Sequence, residues 1–158
     1  MSGYTIAVDV GVSGAVATML GDELVELEDL PVLDGVISAP LFLDMIAGKI
    51  RRAIVIERIH AMPTGTKSNF VMGRNIGVIL GVAGSLATPV VAIPPATWKR
   101  KMRLQKKAGK DAKTEARELA ARLYPAHAQQ FKRVKDHDRA DAVLLGRAYS
   151  MMAVGGEL

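Results

Sequence analysis

The sequence predicts an α/β fold: a mixed five-stranded sheet, an antiparallel meander continued by parallel strands, with helices on both faces. Three observations carry that expectation. Three apolar runs follow one another through short connections over residues 4–30. From about residue 40, helix-like and strand-like periods alternate. Ala53-Ile54-Val55-Ile56 is apolar without alternation, as a strand covered on both faces has to be.

Taken in order, Tyr4 to Val10 forms the first strand and contains Asp9 near its end, and Gly14 to Leu20 forms the second. Gly21-Asp22 is a hairpin turn leading into a third strand, Leu24 to Leu30, which Pro31 ends. Pro40 suits the first turn of a short helix running to about Lys49, with Leu41, Met45 and Ile46 as its apolar stripe. The buried strand at 53–56 ends in Glu57, and residues 60–69 read as a loop. Phe70 to Leu86 reads as a helix whose Gly73, Gly77, Gly81 and Gly84 imply close approach to a sheet or to a partner helix, because each glycine costs about 1 kcal/mol of helix propensity. Val90 to Ile93 is the fifth strand. Ala96 to Met102 forms a helical turn or two, and Arg103 to Lys110 a mobile basic loop. Ala112 to Tyr124 is a helix with Ala112, Ala116, Leu119, Ala120 and Leu123 on one face. A last helix starts near Asp136 and ends by Gly155-Gly156.

A chain of 158 residues suits one domain over residues 1–158, long enough to bury roughly two thirds of its unfolded surface. With no cysteine there are no disulfides and no thiolate metal sites, so any metal would be held by oxygen or imidazole. The N-terminus lacks a basic flank and a long apolar core, and no apolar run reaches the ~20 residues of a membrane span, so a cytoplasmic protein without membrane contact is expected. The net charge of +5 is local. Lys99, Arg100, Lys101, Arg103, Lys106, Lys107, Lys110 and Lys113 lie in one segment with a single acid, Asp111, and the rest of the chain holds 13 basic and 15 acidic residues. One patch therefore carries the positive balance, which points to a polyanion, nucleic acid before membrane, although a solvated loop would have the same composition.

The chemistry gathers at the head of the last helix. At ~100° per residue, Asp138, Asp141, Ala142, Leu145, Ala148, Tyr149 and Met152 share one face, so two carboxylates head a stripe otherwise fit for burial. If the first and fourth strands are adjacent and parallel, Asp9 and Glu57 lie side by side at the sheet end where crevices form. Four acids in one cleft need cations. Hard oxygen ligands suit Mg²⁺, with Mn²⁺ as a substitute, and two such ions about 3.5–4 Å apart support phosphodiester cleavage.

Each residue taken singly has a plainer reading. Asp9 could be a turn or cap residue, Gly11, Ser13 and Gly14 could be turn chemistry or a phosphate loop, and Asp138 could be an acid favoured by the helix dipole. Asp136 and His137 read as peripheral, because His137 points about 100° away from Asp138. His60 is placed at the cleft mouth, in contact with DNA, and His127 on an exposed loop. Phe70 and Trp98 have the option of stacking on bases, with core packing favoured for Phe70 and an anchoring role open to Trp98.

Ile6-Ala7-Val8-Asp9-Val10-Gly11, Ile54-Val55-Ile56-Glu57, Gly73-Arg74-Asn75-Ile76-Gly77, Trp98-Lys99, Lys113 and Asp138-Arg139-Ala140-Asp141-Ala142 occur in an order and spacing that resembles the RuvC-like Holliday-junction resolvases of the ribonuclease H-like superfamily. Pro95-Ala96-Thr97-Trp98-Lys99 is most similar to bacteriophage members, which implies the host cytoplasm as location. The resemblance implies a Mg²⁺-dependent endonuclease acting as a homodimer on four-way junctions, with paired nicks leaving 5′-phosphate and 3′-hydroxyl ends. It implies that Asp9, Glu57, Asp138 and Asp141 hold two metal ions, and that Lys99 and Lys113 contact DNA or assist the scissile phosphate. Arg74 and His60 join the basic segment as DNA contacts. The chain departs at Val10, where bacterial members carry proline, and at His60, where they carry an aromatic involved in sequence choice. The second departure points toward a broader range of branched DNA. Two other readings compete: a junction-binding protein without catalysis, and an actin-like ATPase lobe, whose first strand also ends in an acid and a glycine turn.

Overall fold

A computed structural model describes residues 3–59, 65–104 and 111–158. His60, Lys106, Lys107 and Lys110 lie outside the described residues. The meander is β1 (Tyr4–Asp9), β2 (Ala15–Leu20) and β3 (Glu23–Asp29), followed by a small hairpin of β4 (Val32–Leu33) and β5 (Val36–Ile37). Next come α1 (Ala39–Ile46), β6 (Arg51–Glu57), α2 (Thr66–Ser85), β7 (Val90–Ile93), α3 (Pro95–Lys101) and α4 (Ala112–Leu123). Two 3-10 segments, Pro125–Phe131 and Val134–Asp136, lead into α5 (His137–Val154). The main sheet runs in the order β3-β2-β1-β6-β7. Its left half is antiparallel, and β1/β6 and β6/β7 are parallel, as the sequence predicts.

The two faces of the sheet differ in side-chain size, and that difference decides how the helices sit. Ile6, Val8, Ile54 and Ile56 face the layer of α1 and α2, where Phe42, Ile46, Ile79 and Val82 fill the core. Ala7, Ala15, Ala17 and Ala53 face the layer of α3, α4 and α5. A face lined with alanine lets a helix come close. At Gly146 of α5 an added Cβ would sit 3.0 Å from Ala7 Cβ and 3.0 Å from Met19 Cγ, well inside ordinary carbon contact. Thus α5 is buried on nearly every side, although its sequence shows a polar head and a single apolar stripe.

Several expectations change. Gly73, Gly77, Gly81 and Gly84 do not approach the sheet: a Cβ at any of them would meet open space, and all four lie on the exposed face of α2. The buried face of α2 is Asn75, Ile79, Val82 and Ala83. Phe70 is not in the core but 65% exposed. The β4/β5 hairpin is not expected from the residues after Pro31. Its turn, Asp34-Gly35, has both residues at positive φ (49° and 78°), the conformation that tight hairpins select, and Asn75 holds it by accepting from Ile37 N–H at 3.0 Å and donating to Gly35 O at 3.3 Å. α1 stops at Ile46 rather than Lys49, because Ala47 is extended and Gly48 has φ 73°. Ala112 is exposed rather than on the buried face of α4, and His127 is half-buried in a 3-10 segment. No helix among the described residues is long and apolar enough to cross a membrane.

Candidate active site

Parallel pairing of Val8 with Ile56 makes Asp9 and Glu57, the last residues of β1 and β6, neighbours at one end of the sheet. The loop after β1 then turns back sharply. A Cβ on Gly14 would lie 2.0 Å from the Asp9 carbonyl oxygen, so only glycine allows this turn. The turn brings Ser13 against α5, where its hydroxyl donates to Asp138 Oδ2 at 2.7 Å. The other oxygen of Asp138 lies 2.9 Å from His137 Nε2. His137 Nδ1 is 3.0 Å from the Val134 carbonyl, so the ring is held between that carbonyl and Asp138.

The electrostatics follow from four acids sharing one cleft. Burial pushes the Asp9 carboxyl well above the usual carboxylate range, Asp141 and Asp138 push it further, a hydrogen bond with Asp138 favours its protonated form, and Glu57 adds repulsion. Asp141, one turn along α5 from Asp138, is pushed up to about 6 by burial; Lys99 opposes the shift, Glu57 adds to it, His137 opposes it and Asp138 adds to it. Without a cation, therefore, protons do part of the neutralising.

Cations flank one side. Lys99 and Lys113 line a cavity of about 410 Å³ together with Asp141, Asp111 and Leu104. Lys99 sits at the end of α3, with its Nζ 5.2 Å from the centre of the Trp98 ring. Trp98 is buried, and its indole N–H donates to Glu57 Oε2 at 2.7 Å. The structure thus brings together Asp9, Glu57, Asp138, Asp141, Lys99 and Lys113. The other described cations of the basic segment lie elsewhere: Arg100, Lys101 and Arg103 line a second cavity, of about 390 Å³, with Met151, Met152 and Glu157, and Lys101 pairs with Glu157. Arg74 is on the open face of α2, 5.7 Å from the Phe70 ring centre. Asp136 belongs to the scaffold, since its carboxylate binds Arg133 through both the backbone N–H (2.8 Å) and the guanidinium (2.9 Å).

No protein-family model matches the chain, and no curated protein matches it in sequence. Solved structures do match. Thermus thermophilus RuvC in complex with a Holliday junction substrate superposes with a TM-score of 0.71 at 15% identity, over 98% of this chain and 96% of that one. A further Thermus thermophilus RuvC structure gives a TM-score of 0.69 at 16% identity, over 98% and 97%. The fold is RuvC-like. At these identities the likeness is one of architecture, and chemical inference rests on the residues of this chain.

Three residues of this site escape or mislead sequence reasoning. His137 touches Asp138 rather than standing aside, because the 3-10 segment before α5 brings the Val134 carbonyl to its Nδ1. Ser13, which reads as turn chemistry in the sequence, is a donor to Asp138. Trp98, which reads as a stacking or anchoring residue, has its polar atom bonded to Glu57. The only signal for Trp98 is its place beside Lys99. The carboxylate oxygens of Asp9, Glu57, Asp138 and Asp141 are donors of the kind hard divalent cations take. Among the described residues no three such groups form a ready cation cage.

Proposed function

We propose that this protein is a divalent-metal-dependent, structure-selective DNA endonuclease that resolves four-way junctions, with other branched DNA as further substrates, by paired nicks leaving 5′-phosphate and 3′-hydroxyl ends. The observation that carries the proposal is the placing of Asp138 and Asp141 over the paired strand ends that bear Asp9 and Glu57, with Lys99 and Lys113 beside them. The neighbour's bound Holliday junction supports branched DNA as the substrate class. The similarity of residues 95–99 to bacteriophage members belongs to the same reading.

In this reading Asp9, Glu57, Asp138 and Asp141 would hold two Mg²⁺ ions, with Mn²⁺ as substitute. When bound, such ions supply the positive charge that activates water and steadies the leaving oxygen in phosphodiester cleavage. The chain's own residues prepare for this. Ser13 and His137 orient Asp138 from two sides. Lys99, which already offsets the charge of Asp141, would offer its cation to a phosphate flanking the cleaved one, and Lys113 lines the same cavity. The basic segment supplies backbone attraction whose strength falls with salt.

A homodimer would place two such sites on one junction. The open face of α2 supports this arrangement: Phe70 and Leu80 are 65% and 49% exposed, and the glycines at 73, 77, 81 and 84 leave room for a second helix to come close. The test is to incubate the protein with a synthetic four-way junction, a fork and a linear duplex, with Mg²⁺ or with chelator. Paired, chelator-sensitive nicks in the junction that vanish in Asp9→Asn are the expected result. Tight junction binding without nicks in Mg²⁺ or Mn²⁺ would replace the nuclease by a binding module.

A further inference from the structure

We propose that Trp98 is a positioning residue for the candidate metal centre: its indole N–H ties one oxygen of Glu57 to the protein and leaves the other for a divalent cation, so that the single tryptophan of the chain also reports occupancy of that centre. The inference rests on the metal-dependent reading above.

The geometry begins in the sheet. Glu57 pairs with Ile93, the last residue of β7, and Arg58 N–H donates to the Ile93 carbonyl at 2.8 Å, so the ends of β6 and β7 are locked together. Pro94 and Pro95 then start α3 at once, and Trp98 falls one turn into it. Its own N–H reaches back to the Pro94 carbonyl (3.3 Å), and its carbonyl accepts from Met102 (2.9 Å). The side chain is 1% exposed, among the largest fully buried ones, so the indole has no freedom to follow its partner. Hence the 2.7 Å bond to Oε2 fixes the glutamate and not the reverse. Glutamate has three rotatable bonds and loses more freedom on ordering than aspartate, so among the four acids it has the greatest need of such a tie. Asp138 has comparable support from Ser13 and His137. Lys99, next in sequence, lies against the indole ring and acts on Asp141, so one short helix serves two of the four acids.

A plainer role is available: Glu57 could merely satisfy a buried N–H, which is unfavourable to leave unpaired. The two roles separate experimentally. Wild-type protein is titrated with Mn²⁺ while tryptophan emission is followed. A paramagnetic ion on Glu57 quenches the indole bonded to it, so saturable quenching reversed by chelator is expected, with the half-saturating concentration raised at least about tenfold in Glu57→Gln. Trp98→Phe keeps most of the ring volume and removes the donor. Its Mn²⁺ affinity by calorimetry should fall about 10- to 100-fold, and the Mg²⁺ needed for half-maximal cleavage should rise to match, with KM for the junction unchanged. A Trp98→Phe protein that melts earlier yet binds Mn²⁺ like wild type overturns the proposal. So does calorimetric Mn²⁺ binding to wild type without quenching. If Trp98→Phe does not fold, the indole bond is structural and the positioning role is overturned. Quenching as expected in a protein that cuts no junction would leave the positioning role standing and remove the nuclease reading.

Discussion

α5 and α2 are the two long helices of the protein, 18 and 20 residues, and they meet opposite faces of the same sheet under opposite conditions. α2 carries four regularly spaced glycines and looks, from its sequence, like the helix that must be packed closely; it is the one left open. α5 carries an acidic head and one interior glycine, and it is enclosed by β1, β2, α3 and α4. The cause lies in the strands. Alanines on one face of β1, β2 and β6 admit a close helix, and isoleucines and valines on the other present bulkier side chains to α1 and α2. Close seating is also what brings Asp138 and Asp141 over Asp9 and Glu57. In this fold, proximity and candidate chemistry have one origin.

Five changes break or sharpen the contrast. The largest effect is expected from Asp9→Asn, which removes the acid beneath α5. Junction cleavage should fall by on the order of 10²–10³-fold in kcat, the scale on which a single electrostatic stabiliser acts, while thermal melts of the metal-free protein at pH 8 move upward because three neighbouring acids lose a repulsive partner. A variant that loses both activity and stability would show that Asp9 is a structural acid.

The second expected effect is in pH. Asp141 titrates at about 6 in the folded protein against an ordinary value of 3.8, so on raising the pH the unfolded chain releases this proton first. Metal-free stability should therefore be highest below about pH 4 as far as this group is concerned, decline between about 4 and 6, and level off above, by on the order of 3 kcal/mol. The raised Asp9 extends the decline upward in pH. Mg²⁺ should cancel it. Denaturant melts at pH 4.5 and 7.5 with and without Mg²⁺ measure the effect, and an equal loss in both conditions would separate the acids from metal binding.

The third and fourth changes are the same substitution with opposite signs. Gly146→Ala forces a methyl against Ala7 Cβ on the central strand, which cannot give way, and should destabilise by about 1–3 kcal/mol. Gly81→Ala meets nothing and removes a poor helix former, so the monomer should gain up to about 1 kcal/mol. Equilibrium unfolding of the pair tests both at once; equal effects would deny the difference between the two helices. Gly81→Leu then probes the open face itself, and light scattering should report loss of the proposed dimer without loss of fold.

Much is readable in the residues themselves. β1, β2, β3, β6 and β7 lie within a few residues of their expected positions, because continuous apolar runs and turn residues such as Gly21 act locally. The four acids are legible as a set through their place at strand ends and on one helical turn. The Asp34-Gly35 hairpin is also present in the sequence as a turn dipeptide, but two-residue strands carry no periodicity to announce it.

What the sequence by itself determined is therefore the order of elements, the acids at their ends and the place of the basic segment. Only the tertiary structure decided which glycine marks a close approach, that Trp98 answers Glu57 across 41 residues, and that Ser13 reaches Asp138 across 125. The physical reason is range. Strand and helix patterns are set by neighbours along the chain, whereas a hydrogen bond between distant residues, or the room for a methyl group, depends on how closely a helix settles on a sheet, and here that was set by alanines on another element.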